Sequence, residues 1–147
     1  MRGYVGIGVL NMKNALNYGT LFRSALCFNV DFIFLVGKRF RKQCSDTVRA
    51  ERHIPLFEYQ SISDFFDHIP YDCQPVGVEI TEEARDLVGF IHPERAVYIL
   101  GPEDGSLPEE VTKRCVAVIK IPTSFCLNVA VAGSIVLYDR MVKMHCV

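Results

Sequence analysis

Short, nearly uninterrupted apolar runs recur along this chain, and segments with a helical spacing of apolar residues lie between them. Such runs are typical of strands that a parallel sheet buries on both faces. The pattern predicts strands at Tyr4–Leu10, Phe32–Val36, Leu56–Tyr59, Val76–Ile80, Ala96–Leu100 and Val116–Ile121. It predicts helices at Asn17–Phe28, Ser61–His68, Leu107–Cys115 and Asn128–Met144. Because the two kinds of element alternate, we predict an α/β fold with a mostly parallel sheet flanked by helices.

Local sequence also predicts where two of the helices begin. Ser106 and Glu109 have the spacing of a capping box, and Pro108 lies in the first turn, where a missing N–H costs little. Asn17 is predicted to cap the first helix, whose second turn then displays Arg23. Taken alone, Asn17 and Arg23 are best interpreted as a helix cap and a solvated charge.

Two strand-to-helix junctions in the last third of the chain are rich in small, polar, Pro and Gly residues. One reads Leu100-Gly-Pro-Glu-Asp-Gly-Ser-Leu-Pro, and the other reads Ile121-Pro-Thr-Ser-Phe-Cys-Leu-Asn. Ligand sites of α/β proteins form beyond the carboxyl ends of the strands. We therefore predict that the two junctions line one shared pocket.

Length and composition limit the architecture. A chain of 147 residues has the size of one domain, so we expect residues 1–147 to form a single unit. Its apolar fraction of 50% is at the upper edge for soluble domains. Some apolar surface is then left for a partner subunit, and a homo-oligomer is expected.

Several classes of protein lack support in the sequence. No apolar run is long enough to cross a bilayer and no signal peptide is recognisable, so a cytoplasmic protein without a membrane segment is expected. The six cysteines form no C-x-x-C pair, and no metal site or disulfide framework is predicted. Rossmann, Walker and nucleophile-elbow motifs are missing from their usual positions between a strand and a helix.

The charge distribution is uneven although the net charge is only −1. Residues 38–52 carry six cations and two anions, directly after an apolar strand. The cations are Lys38, Arg39, Arg41, Lys42, Arg49 and Arg52. A local patch of this kind fits contacts to phosphates, and a solvated loop explains it about equally well. Lys38, Arg39, Arg41 and Lys42 are the candidate RNA-binding residues.

Three segments, taken in order, resemble the motifs of the SpoU (TrmH-type) branch of the SPOUT RNA methyltransferases. They are Asn17-Tyr-Gly-Thr-Leu-Phe-Arg-Ser-Ala, Leu100-Gly-Pro-Glu-Asp-Gly-Ser-Leu and Ile121-Pro-Thr-Ser-Phe-Cys-Leu-Asn-Val-Ala. The resemblance extends over nearly the full chain. It implies S-adenosylmethionine as methyl donor, a C-terminal trefoil knot, a homodimer with sites near its interface, and transfer to a ribose 2′-hydroxyl of RNA.

The resemblance also implies a donor site. Gly101, Ile121 and Leu127 match positions that line the adenine slot in the family, and Glu79 is a further candidate to border the ligand. Cys126 stands where the family usually has serine. Because a thiol is a poorer hydrogen-bonding group than a hydroxyl, a contact made there is expected to be weaker.

The catalytic candidates are Asn17, Arg23, Glu103 and Asn128. The family's usual assignment makes the arginine matching Arg23 the base. A guanidinium stays protonated and offers no lone pair, so a bidentate grip on the phosphate beside the target ribose is the more natural role. The two asparagines are expected to orient the ribose and the loops, and Glu103 to hold Arg23 or its dimer mate.

Compact single-domain members of the family resemble enzymes that act on tRNA, including TrmL-like enzymes that modify the wobble nucleotide. We therefore favour tRNA as the substrate and keep ribosomal RNA as an alternative. A catalytically inactive, knotted RNA-binding dimer is a second hypothesis, which Cys126 and the modest charge favour. A small-molecule α/β enzyme is a third, and it predicts no salt-sensitive RNA binding.

Overall fold

The structure, a computed structural model, describes residues 3–11, 14–37, 48–102 and 106–145. Its strands are β1 (Tyr4–Leu10), β2 (Phe32–Val36), β3 (Leu56–Tyr59), β4 (Gln74–Val78), β5 (Arg85–Asp86), β6 (Arg95–Leu100) and β7 (Ala117–Lys120). Its α-helices are α1 (Ala15–Cys27), α2 (Ile62–Asp67), α3 (Glu109–Thr112) and α4 (Val129–His145). Short 3-10 helices occur at Ala50–Arg52 and Leu87–Gly89.

The strands form one parallel sheet, so the predicted α/β class is confirmed. Within the described residues the sheet has seven strands in the order β3-β2-β1-β6-β4-β7-β5, and every neighbouring pair is parallel. Because the strands are parallel, the carboxyl ends of β4, β6 and β7 lie at the same edge of the sheet. The loops that follow these three strands are therefore neighbours.

Helices cover both faces of the sheet, as burial of a parallel sheet requires. All five residues of β2 are buried. One face packs against α1 and α4, with Ile7 and Tyr98 meeting Leu21 and Val136 in one apolar cluster. Gly133 lets α4 approach α1, because a side chain there would collide with Leu21. A second cluster on the opposite face contains the aromatic residues Phe32, Phe34 and Phe65.

The strand predictions were closest where the apolar run is continuous. The bounds of β1, β2 and β3 are those predicted, and β6 and β7 differ by one residue at one or both ends. The predicted strand Val76–Ile80 instead ends at Val78, so Glu79 lies in the loop beyond β4. The two-residue strand β5 was missed, because Arg85 and Asp86 are both exposed and give no apolar signal.

The starts predicted for the first and third helices were wrong, whereas α2 and α4 each begin one residue after the predicted Ser61 and Asn128. Asn14, in an extended conformation, caps α1 through a hydrogen bond from the Leu16 N–H to its side chain (3.0 Å). Asn17 therefore lies inside the first turn. The predicted helix 107–115 is reduced to α3, and Pro108 occupies its N-cap position without any side-chain cap, so the capping box of Ser106 does not form.

Candidate active site

A pocket opens at the edge of the sheet where β4, β6 and β7 end. It encloses about 610 Å³, including open solvent at its mouth. The five residues predicted to hold the methyl donor all line it: Glu79, Gly101, Ile121, Cys126 and Leu127. The structure thus brings the two C-terminal junctions together in one cavity, as the strand-end rule predicts.

The walls of the pocket combine apolar surface with a few polar groups. The apolar lining includes Val78, Leu100, Ile121, Leu127 and Val129. Its polar side chains come from Glu79, Lys120, Thr123 and Cys126. Such a lining suits a planar heterocycle attached to a polar chain.

Lys120 and Thr123 also line the pocket, although neither was predicted to from the sequence. The Lys120 ammonium lies 3.4 Å from the Thr81 carbonyl oxygen and 3.9 Å from the Asp86 carboxylate. It therefore holds the loop after β4 against the end of β7. The available signal was its position as the last residue of a strand, directly before the Ile121 junction.

The Glu79 carboxylate joins two loops at the pocket. Its Oε1 accepts the N–H of Ile80 and its Oε2 accepts the N–H of Leu107, both at 2.9 Å. Leu107 is buried and lies next to Gly77 and Gly101. Glu79 therefore fixes the end of loop 101–107 to the end of β4.

Asn17 and Asn128, far apart in sequence, meet beside the pocket. The Asn128 side-chain amide donates to the Asn17 side-chain oxygen at 2.9 Å. The Asn128 Oδ1 accepts the N–H of Ala130 at 2.9 Å and of Val131 at 3.3 Å, which caps α4. Since Leu127 and Val129 on either side of Asn128 line the pocket, this asparagine pair stands at its border.

A second hydrogen bond joins α1 to α4. The Ser24 and Ser134 hydroxyls are hydrogen-bonded to each other at 2.8 Å, one turn or more beyond the asparagine pair on each helix. The two helices therefore run side by side in the same direction from the pocket. The packing of α1 against α4 determines the direction in which the remaining side chains of α1 point.

Arg23 is exposed and does not line the pocket of its own chain. It lies about 9 Å along the α1 axis from Asn17 and about 100° around the helix from Ser24, the residue that contacts α4. The structure therefore brings Asn17 and Asn128 together and leaves Arg23 on a separate face of α1. The predicted residues Glu103, Lys38, Arg39, Arg41 and Lys42 lie outside the described residues.

A buried polar cluster lies on the same face of the sheet as α4, away from the pocket. The His92 Nε2 is 2.8 Å from the Asp139 carboxylate, and its Nδ1 is 2.5 Å from the Tyr98 hydroxyl. Burial lowers the pKa of His92, as do the nearby cations Arg140 and Lys143, against the opposing influence of Asp139. The neutral imidazole satisfies both contacts, with Nε2–H donating to Asp139 and Nδ1 accepting from Tyr98.

Among residues 3–11, 14–37, 48–102 and 106–145, no group of three or more His, Cys, Asp and Glu side chains is arranged to hold a metal ion. In the same part of the chain, no helix combines the length and the apolar character needed to cross a membrane.

A family model for the SpoU rRNA methylases matches the chain over residues 5–138. The matched region contains both strand-end junctions, the asparagine pair and Arg23. No curated protein sequence matches the chain significantly.

Several solved structures share the fold. One reported for the 2-OH methylation of C/U34 on tRNA has a TM-score of 0.81 and 21% identity, covering 99% of both chains. The AdoMet-bound rRNA methyltransferase of Sinorhizobium meliloti has a TM-score of 0.81 and 24% identity, covering 100% of this chain and 58% of its own. The TrmH/SpoU tRNA modifying enzyme of A. aeolicus has a TM-score of 0.84 and 18% identity, covering 96% and 75%. The chain thus spans less than two thirds of the Sinorhizobium protein.

Proposed function

The chain belongs to the SpoU rRNA methylase family, and we propose that it transfers the methyl group of S-adenosylmethionine to a ribose 2′-hydroxyl of RNA. The observation that carries this proposal is the strand-end pocket with the Asn17–Asn128 pair at its border. The pocket supplies a place for the donor, and the pair supplies polar groups for the acceptor. We propose tRNA as the substrate and the cytoplasm as the place of action.

The donor fits the pocket by chemical type. Its adenine needs an apolar slot with hydrogen-bonding groups at the edge, which Leu100, Ile121 and Leu127 and the backbone around them offer. If the donor binds there, the acceptor would have to reach its methyl group through the mouth of the pocket. When bound, the donor supplies an activated methyl group, so the protein has to hold the acceptor in line and exclude competing geometries.

The acceptor side of the reaction requires positioning more than acid–base chemistry. A bond forms between the ribose 2′-oxygen and the methyl carbon while the carbon–sulfur bond breaks, and sulfur keeps the electron pair. The hydroxyl proton leaves to water. Asn17 and Asn128 orient the ribose, and Arg23 grips the adjacent phosphate with its two parallel N–H donors.

A homodimer is part of the proposal. On α4, the exposed apolar side chains Val131, Ile135, Tyr138 and Val142 fall within an arc of about 60° at 100° per residue. The opposite side of α4 is already buried against α1 and the sheet. A second copy covering this stripe removes it from water, and Arg23, which does not line the pocket of its own chain, would then complete the pocket of the partner subunit.

The proposal keeps two features that the resemblance implies. The trefoil knot is supported by the position of β7 between β4 and β5, two strands that the chain joins directly over residues 79–84. The choice of tRNA is supported by the fold shared with the structure reported for C/U34 methylation. The cations Lys38, Arg39, Arg41 and Lys42 are proposed to contact its phosphates.

The test is mass spectrometry of nucleosides from RNA incubated with the protein and S-adenosylmethionine. Unmodified total tRNA and ribosomal RNA are supplied separately, and we expect a 2′-O-methylated nucleoside from tRNA. RNA binding should weaken as salt is raised, because phosphate contacts release counterions. Salt-sensitive binding without any methylated nucleoside supports the inactive RNA-binding dimer. The lack of both contradicts the proposal.

A further inference from the structure

Phe125 is an aromatic side chain left in solvent beside the pocket. Its exposed fraction is 86%. Thr123 and Cys126, which lie on either side of it in the loop, both line the pocket, whereas Phe125 does not. The ring therefore stands outside the cavity at its rim.

The backbone that carries Phe125 is tied down at several points. The Thr123 hydroxyl donates to the Phe125 carbonyl oxygen at 2.7 Å. Three residues later, the Asn128 side chain caps α4 and binds Asn17. These contacts determine the course of the loop backbone, while the Phe125 ring stays exposed to solvent.

We propose that Phe125 is a stacking platform for a nucleobase of an unpaired RNA segment, at the acceptor nucleotide or directly beside it. This inference rests on the proposed function, because it needs the acceptor ribose at the mouth of the pocket. Proteins recognise single-stranded RNA loops by stacking bases on aromatic side chains, and the bases of a duplex have their faces covered. Phe125 thus favours an acceptor in a loop over one in a helix.

The composition of the chain offers a direct optical test, because it contains no tryptophan. In Phe125→Trp the new indole is the single tryptophan, and a base stacked on it quenches its fluorescence. We expect quenching by a synthetic anticodon stem-loop RNA, and little quenching by a blunt RNA duplex or by S-adenosylmethionine alone. The matched control is Tyr71→Trp, since Tyr71 is 91% exposed and precedes β4, at the opposite edge of the sheet from the pocket.

Kinetics test the same contact without a reporter. In Phe125→Ala the KM for tRNA should rise roughly 5- to 150-fold, the range expected when one base loses its stacking partner. Phe125→Tyr should retain most of the affinity. Phe125→Leu, which keeps apolar bulk but has no flat ring, should resemble the alanine variant. The affinity for S-adenosylmethionine and the molar mass by light scattering should not change.

Three results overturn the inference. One is a normal KM for tRNA in Phe125→Ala, and another is full function in Phe125→Leu. The third is a lower molar mass in Phe125→Ala, which assigns the ring to a subunit contact. The failure of the proposed function is distinguishable, because the fluorescence measurement reports stacking whether or not any methyl group is transferred.

Discussion

Arg23 is the residue whose role the structure restricts most. A guanidinium group has no lone pair to offer, so Arg23 is not suited to take the hydroxyl proton of the acceptor. It is exposed on α1 and does not line the pocket of its own chain. Binding a phosphate uses the charge and the planar N–H groups of this side chain, and it does not require Arg23 to contact the pocket for S-adenosylmethionine.

Replacing Arg23 with alanine should therefore separate the two halves of the reaction. In Arg23→Ala we expect loss of methyl transfer with an almost unchanged dissociation constant for S-adenosylmethionine, measured by isothermal titration calorimetry. Arg23→Lys keeps the charge but not the bidentate geometry, and it should recover only part of the activity. Arg114→Ala, which removes an exposed cation stacked on Phe66 on the other face, serves as the control. Equal loss of donor binding and turnover contradicts this division of roles.

His92 should make the stability of the protein depend on pH. Burial lowers its pKa below the ordinary value of 6.5 in the folded chain, so the unfolded chain binds more protons between the two pKa values. The stabilisation that depends on the neutral form of His92 is therefore fully present above about pH 6.5. As the pH falls below that value, the free energy of unfolding decreases by at most about 1.4 kcal/mol per pH unit. Thermal unfolding followed by circular dichroism between pH 5 and 8 should show this loss.

The groups around His92 determine which variants test its effect on the pH dependence of stability. The His92 ring is contacted or closely approached by Asp139, Arg140, Lys143 and Tyr98. Burial raises the pKa of Tyr98 to about 12, so Tyr98 does not titrate between pH 5 and 8. In His92→Gln the decrease in stability below pH 6.5 should become shallower. His68→Gln tests the opposite sign, because a hydrogen bond to the Asp64 backbone raises the pKa of the exposed His68. An unchanged pH profile in His92→Gln contradicts the assignment.

At the scale of elements, sequence was a good guide where burial decides the structure. β1 and β2 lie inside the sheet and are almost wholly apolar, so their bounds were predicted. The start of α1 was misassigned because Asn14 and Asn17 are chemically equivalent as caps, and it is Asn14 that has the extended conformation and accepts the Leu16 N–H.

The candidate site was likewise predicted only in part from the sequence. A shared pocket was predicted because the carboxyl ends of parallel strands gather loops at one edge, whereas its individual residues came from the resemblance to the SpoU family. The direction of Arg23 depends on how α1 is rotated against α4, which contacts such as Ser24–Ser134 determine. The pair His92–Asp139 joins residues 47 apart, and no local pattern indicates such a contact.

Glu79 connects two elements, and its replacement should loosen one of them. Glu79→Gln can accept only one of the two N–H groups, so loop 101–107 loses a hydrogen bond or gains an unsatisfied donor. We expect faster amide hydrogen exchange at Leu107, and a dissociation constant for S-adenosylmethionine about 5- to 30-fold higher, from the about 1–2 kcal/mol that such a bond contributes.

The matched control for Glu79→Gln is Glu82→Gln, which makes the same charge change at an exposed position of the loop that follows β4. It should alter neither the exchange at Leu107 nor the donor affinity. If Glu79→Gln binds the donor normally while Leu107 exchanges faster, the loop contact is real but has no part in donor binding.

On the scale of the whole molecule, the proposed site is divided between two copies of the chain. In the proposed dimer, the pocket and the asparagine pair would come from one copy and Arg23 from the other. The apolar stripe of α4 is the surface proposed to join them. Ile135→Arg, which places a charge in the middle of the stripe, should yield a folded monomer by light scattering that binds the donor and does not methylate RNA.

Mixed dimers then decide whether Arg23 acts across the interface. Arg23→Ala and Asn128→Ala subunits should each be inactive alone. In a co-expressed mixture, an Arg23→Ala subunit keeps an intact pocket and its Asn128→Ala partner supplies an intact Arg23, so one of the two sites in the heterodimer is complete. Random pairing in a twofold-symmetric dimer makes half of the molecules heterodimers, so about a quarter of the wild-type activity should return. If Arg23 acts within its own chain, both sites of the heterodimer are defective, and no activity returns however the subunits are mixed.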